Sequence, residues 1–318
     1  MRALEFPGGK RFAFTILDDT DVATVDNVRP MYRLLERLGM RTTKTVWPLA
    51  CPEGSPNFGT SETLEDSEYL AFVRDLDRRG FELTWHGATM ESSRRDRTLA
   101  GLERFHELIG HYPRIHANHA ENRENLYWGA GRIDLPLLKF LFGLLAHPAD
   151  YFLGDRESSS YWWGDLCARH IVYARNLTFN RLNVASINPS MPYHDPSRPL
   201  VHGWFSASDA EDATAFASLL HPRNQRALED EGGFSIVATH FGKGYVRNSS
   251  VQPLVEERLH MLARRPGWFP TAGELLDWLR EHRESETLPA DEWLRMQWCW
   301  ARDLFLRHWK RRFAWRRR

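Results

Sequence analysis

Short apolar runs recur along the first half of the chain, each followed by a longer stretch with helical spacing. Phe12-Ala13-Phe14-Thr15-Ile16-Leu17 reads as a buried strand, and Val28–Leu38 as a helix that stops at Gly39. Arg41–Trp47 follows as a second strand, then a helix over Asp66–Arg79 that ends at Gly80. Phe81–Trp85 is a third strand, Arg94–Ile109 a helix ending at Gly110, and Arg114–Ala117 a fourth strand after Pro113. Glycine at helix stops and β-branched or aromatic residues in strands are the expected punctuation. Between about 130 and 210 the pattern is less regular, with an apolar helix, the aromatic stretch Tyr161-Trp162-Trp163 and a Pro/Asn-rich loop from Asn188 to Pro199. Alternation resumes with the strand Val201–Phe205, a helix from Glu211 to Leu220, the strand Ser235–Thr239, and helices over Val255–Ala263 and Ala272–Glu281. Repeated βα units predict parallel strands, right-handed crossovers, and a sheet or barrel covered by helices. Nothing marks a linker before residue 285. The reading is one domain over 1–284 and a helical tail over 285–318.

Composition changes this picture in three places. At 42% hydrophobic residues the chain can bury a large core, and 13 Trp with 18 Phe supply core filling or walls that stack on sugar rings. The formal net charge is +0, which gives no indication of nucleic acid, but eight Lys/Arg against one Asp fall between Arg302 and Arg318. The rest of the chain is therefore net negative by seven. Cys51, Cys167 and Cys299 lie far apart, arguing against a disulfide scaffold and a cysteine-ligated zinc. No apolar signal segment precedes the first strand, and the run Leu135–Ala146 is too short to span a bilayer, so a cytoplasmic location is expected.

Asp18-Asp19-Thr20-Asp21 is the densest concentration of charge at the end of an apolar strand. Desolvated carboxylates need partners or protons, and a metal ion, or one carboxylate acting as base beside a ligand, satisfies that need. A helix cap at Asp21 or Asp26 is the simpler alternative. In parallel α/β folds the ligand site lies at the carboxyl ends of the strands. There the sequence also places His86, His116-Ala117-Asn118-His119 and His240.

This pattern resembles the polysaccharide deacetylase superfamily, carbohydrate esterase family 4 and its relatives. Ile16-Leu17-Asp18-Asp19-Thr20 looks like the family's first motif, Ile236-Val237-Ala238-Thr239-His240 like its late apolar strand and histidine. The resemblance implies an α/β fold, an incomplete (β/α)7-type barrel with insertions and a C-terminal helical tail. It implies Asp18 as general base, Asp19 and His86 as ligands of a divalent ion, zinc above others, and His240 as general acid. The family's His-Ser/Thr-x-x-His reads His86-Gly87-Ala88-Thr89-Met90 here, so one ligand is missing. Met90 is a poor donor for an ion that prefers N and O. His119, nearer the loop, is expected to fill the vacancy before His116, because a spacing of three puts the two on opposite sides of a strand. Glu91 is next.

The implied activity is metal-dependent hydrolysis of an N-acetyl group on a sugar precursor in surface polysaccharide biosynthesis, nucleotide-linked or lipid-linked. Asn118, Asn122, Trp128 and Arg175 are the expected substrate contacts. A non-catalytic carbohydrate-binding descendant and a hydrolase of another C–N bond, an amide or cyclic imide, stay open as alternatives. The tail over Trp293–Trp315 has apolar residues at helical spacing and basic residues after Arg307, which fits either packing on the barrel or peripheral contact with anionic lipid.

Overall fold

A computed structural model of the chain describes residues 4–145, 147–148, 150–283 and 285–315. Strand β1 (Phe12–Asp18) leads into helix α1 (Val25–Arg37), β2 (Thr43–Val46), α2 (Ser67–Arg78), β3 (Glu82–Trp85), α3 (Arg95–Ile109) and β4 (Ile115–His116). A long excursion carries α4 (Pro136–Leu145) and α5 (Gly164–His170) before β5 (Tyr173–Phe179). Then come β6 (Gly203–Asp209), α6 (Ala213–Leu219), α7 (Pro222–Glu231) and β7 (Phe234–Thr239). A small hairpin, β8 (Val246–Arg247) with β9 (Ser250–Val251), precedes α8 (Pro253–Ala263), β10 (Gly267–Trp268), α9 (Ala272–His282) and α10 (Ala290–Trp315).

The strands β1 to β7 pair in chain order, all parallel, and β7 returns to β1 from Ala13↔Phe234 to Asp18↔Thr239. Seven strands thus close a barrel. The short β10 pairs with the start of β1 at Phe12 and Ala13, where β2, which pairs only at Leu17 and Asp18, has not yet begun. The expected parallel (β/α)7 architecture is the one observed, with its ring closed through hydrogen bonds. Strand β5, helix α7 and the β8–β9 hairpin had no counterpart in the sequence reading. The boundary expected after residue 284 falls at a position outside the described residues, as do residues 316–318 of the tail.

Alternation along β1 separates two cores. Phe12, Phe14 and Ile16 pack with Val28, Met31, Tyr32 and Leu35 of α1 on the outer face, while Ala13 and Leu17 join the other core. Asp18 shares the parity of the outward residues and Asp19 that of the inward ones, so the two adjacent carboxylates leave the strand in opposite directions. The cap of α1 is Thr24. Its hydroxyl accepts from the Asn27 amide at 3.3 Å, and the Asn27 side chain accepts from the Thr24 amide at 2.8 Å. Neither Asp21 nor Asp26 is needed for that purpose, which removes the simpler account of Asp21.

Candidate active site

The inward branch of β1 brings Asp19 to the carboxyl end of the barrel, and Asp21 follows two residues on. Both are almost fully buried. Histidines from three other strand ends meet them. His86 Nε2 lies 3.2 Å from Asp21 Oδ1, His119 Nε2 lies 3.8 Å from the same oxygen, and His240 Nε2 lies 3.3 Å from Asp21 Oδ2. Lys243 Nζ is 3.2 Å from Asp21 Oδ2.

The far side of each imidazole fixes its tautomer. His86 Nδ1 faces the Ala117 carbonyl, and His240 Nδ1 lies 2.9 Å from the Glu211 carbonyl. His119 Nδ1 lies 2.9 Å from Asn122 Oδ1. The Asn122 amide nitrogen donates to Thr89 O, Glu91 O and Glu124 Oε1, so its oxygen is the acceptor toward His119. An acceptor behind each Nδ1 places a proton there, so that a neutral ring turns its Nε2 lone pair to Asp21.

Lone pairs aimed at a carboxylate repel it unless a proton or a cation stands between. Asp21 Oδ1 and His86 Nε2 are both buried without a hydrogen-bond partner. No set of three or more such side chains among the described residues is spaced ready to hold a metal ion. The donor chemistry, the tethered Nδ1 atoms and the two orphaned buried atoms nevertheless fit a divalent cation drawn to Asp21, His86 and His119. Burial disfavours the ionised Asp21, but the nearness of His240 and His86 outweighs it and holds the carboxyl well below the usual range. For His119 burial dominates and lowers its pKa, toward the neutral form a ligand needs. For His240 burial is outweighed by Asp21 and Asp19, and its pKa is raised.

Asp19 is held differently. Arg175 of β5 donates from Nη1 to Oδ1 at 3.0 Å and lies 2.8 Å from Oδ2 through Nη2, a two-pronged clamp. Burial opposes ionisation, yet Arg175, His86 and His240 together lower the pKa of Asp19. Removing the clamp leaves burial unopposed by its main counterweight, so Arg175→Gln is expected to raise that pKa. A group used as a base is active above its pKa. The acid limb of a pH–kcat/KM profile should therefore move to higher pH in this variant, and an unmoved limb would separate Asp19 from proton transfer.

Several expected site residues stand elsewhere. Asp18 is fully buried on the outer face, where Oδ2 accepts from Tyr32 at 2.7 Å and Lys44 at 3.0 Å, and Oδ1 accepts from the Phe241 amide at 2.8 Å. It cannot reach the cleft as a base. Asn118 donates to the Arg175 carbonyl, and Arg175 donates to the Asn118 carbonyl, each at 3.0 Å. Asn118, Asn122 and Arg175 are all buried and bonded to protein groups, with Asn118 Oδ1 and Arg175 Nε left without a hydrogen-bond partner, so they are placed to position the site. Trp128 donates to Ala120 O at 3.3 Å, and Arg132 covers one face of its ring at 3.8 Å. His116 lies buried edge-on to Trp163 and away from Asp21, with burial lowering its pKa to about 3. Met90 takes no part in the cluster; its sulfur accepts from Thr60 at 3.3 Å. Asp21 was the residue missed as a functional group, although it belongs to the acidic run that drew notice.

Trp47 at the end of β2 packs on His86, with ring centroids 4.8 Å apart, and edge-on to His119 at 5.5 Å. Its other side borders a cavity of about 230 Å3 lined by Cys51, Asn57, Phe58, Ser61, Glu62 and Met90. Gly242 allows the loop after β7 to approach β1, since a Cβ there would stand 2.7 Å from Val22 O and 2.8 Å from Asp21 O. That glycine serves a backbone crossing.

No protein-family model and no curated protein matches the sequence. Solved structures do resemble it. A protein designated a polysaccharide deacetylase from Mycobacterium smegmatis is 12% identical, covering 91% of this chain and 96% of that one, with a TM-score of 0.53. The Puue allantoinase is 11% identical over 88% of this chain and 94% of its own, also at 0.53. A third, designated a polysaccharide deacetylase from Pseudomonas aeruginosa PAO1, is 13% identical over 87% and 94%, with a TM-score of 0.52. The chain shares the α/β barrel fold of these solved structures.

Proposed function

We propose that this protein is a metal-dependent hydrolase that removes an N-acetyl group from a sugar. The observation that carries the reading is the convergence of three histidine Nε2 atoms, each backed by an acceptor at Nδ1, on the buried carboxylate of Asp21. Asp21, His86 and His119 are the residues that would hold the ion, with zinc as first choice for an N/O donor set. A divalent cation there would supply Lewis-acid polarisation of the amide carbonyl and a lowered pKa for the attacking water.

The chain's own groups do the rest. Asp19, clamped by Arg175 and kept ionised, takes the proton of the water that adds to the carbonyl carbon. His240, whose pKa is raised, gives a proton to the nitrogen as the C–N bond breaks, and the products are acetate and an amino sugar. Trp47 excludes water behind His86 and His119, and the adjoining cavity is the natural seat for part of the substrate. A nucleotide-linked or lipid-linked precursor of a surface polysaccharide, handled in the cytoplasm, is the substrate class we favour.

Elemental analysis and acetate release on a panel of N-acetylated sugars, with cyclic imides as comparison, test this reading. We expect nearly one divalent ion per chain and acetate from at least one sugar. Hydrolysis of a cyclic imide alone would redirect the reaction to a ring C–N bond, since the fold is also that of an allantoinase. A metal-free protein that binds sugars without releasing acetate would be the non-catalytic descendant and would sink the proposal.

A further inference from the structure

Helix α10 meets α4 and the segment that leads into it. Phe142 and Trp300 have ring centroids 5.4 Å apart, Gln297 Oε1 accepts from the amides of Asp134 at 2.7 Å and Leu135 at 3.0 Å, and Trp293 Nε1 donates to Asp134 Oδ2 at 2.6 Å. Each helix turns one stripe inward. Leu138 on α4 and Met296 and Trp300 on α10 are buried in the core.

Both helices are also apolar on the outside. Leu137 is 60% exposed, Phe140 64% and Leu141 43%, and on α10 Trp298 is 51% exposed with Leu294 and Leu306 at 43%. Six large apolar side chains turned outward on two adjoining helices exceed the scattered exposure normal for a soluble surface. No helix among the described residues is long and apolar enough to cross a membrane. Helices of this kind instead lie in the plane of a bilayer interface.

Charge selects the occupant. Over Arg302–Trp315 α10 carries five Lys/Arg against one Asp, three further arginines follow in the sequence, and the remainder of the chain is net negative by seven. An anionic surface attracts this corner of the molecule and repels the rest, which favours one orientation. A second copy of the chain would instead set two such basic segments near each other. We infer that the paired outer faces of α4 and α10, with the basic end of α10, dock the protein onto an anionic lipid bilayer.

Flotation of the full-length protein with phosphatidylglycerol/phosphatidylcholine vesicles tests this, against phosphatidylcholine alone. Wild type is expected to float with anionic vesicles at low salt and largely detach in about 1 M salt, where the screening length is about 3 Å. The pair Phe140→Glu and Trp298→Glu, both at exposed sites, should weaken binding at least about tenfold at low salt. So should the set Lys310→Glu, Arg311→Glu and Arg312→Glu. Equal binding of Phe140→Glu/Trp298→Glu and wild type would remove both apolar faces from the surface and overturn the proposal. Protein that stays below the vesicles at low salt overturns it too. A wild-type dimer that Phe140→Glu/Trp298→Glu converts to monomer, without vesicle binding, would assign the face to a second copy.

Discussion

Asp21→Asn should leave the protein nearly free of divalent metal and lower kcat/KM by more than the ~10–100-fold that changes behind a metal ligand cost. The carboxylate is the common neighbour of His86, His119, His240 and Lys243, so the substitution removes the one negative group to which all four turn. Asparagine keeps the size and one oxygen but not the charge, leaving two or more cationic or lone-pair donors without a counter-ion in a buried place. Asn122→Ala is the milder companion. It frees His119 Nδ1 and should weaken metal binding within that same ~10–100-fold range. Elemental analysis after dialysis against a weak chelator reads both. Wild-type metal content in Asp21→Asn would remove Asp21 from the site and return the ligand role to Asp19.

Lys44→Met is expected to destabilise the fold by about 3–5 kcal/mol, because it leaves Asp18 buried with its main cationic partner gone. Neither side chain of that ion pair is solvent-exposed, and the nitrogen stands 3.0 Å from the carboxylate. Asp18→Asn should cost a similar amount for the converse reason, whereas the double variant should recover much of the loss, since two neutral groups need no counter-charge. Denaturant unfolding monitored by tryptophan fluorescence measures all three. Metal content should be unchanged throughout, because Asp18 and Lys44 lie on the outer face of the barrel. An Asp18→Asn protein with wild-type stability and little turnover would restore Asp18 to the chemistry.

The strand-end logic of α/β barrels was legible in the sequence, because glycine stops and apolar runs set the units apart one after another. The same alternation rule that separates His119 from His116 also separates Asp18 from Asp19. Applied to β1, it would have sent Asp18 outward with Phe14 and Ile16. Adjacency in the family motif concealed this, since it assigns neighbouring carboxylates to one site. Strand β5 was hidden for a different reason. Tyr173-Ala174-Arg175-Asn176-Leu177-Thr178-Phe179 places an arginine and an asparagine in its middle, and these become tolerable in a core through Asp19, Asn118 and Tyr193, of which Asp19 and Asn118 are far away in sequence. The α4–α10 pairing likewise depends on Gln297 reaching Asp134 and Leu135 across the chain.

Met90 stands where the motif that the chain resembles has its second histidine. When the second histidine of a short motif is replaced, that motif loses its signature, although a histidine from another loop can stand over the same carboxylate. Recognition by a contiguous string of letters then fails while the arrangement in space endures. Distant kin of this chain are better sought with a sparse fingerprint in which Asp19-x-Asp21, a lone histidine at position 86, His119-x-x-Asn122, Arg175 and His240 are spread over the whole barrel.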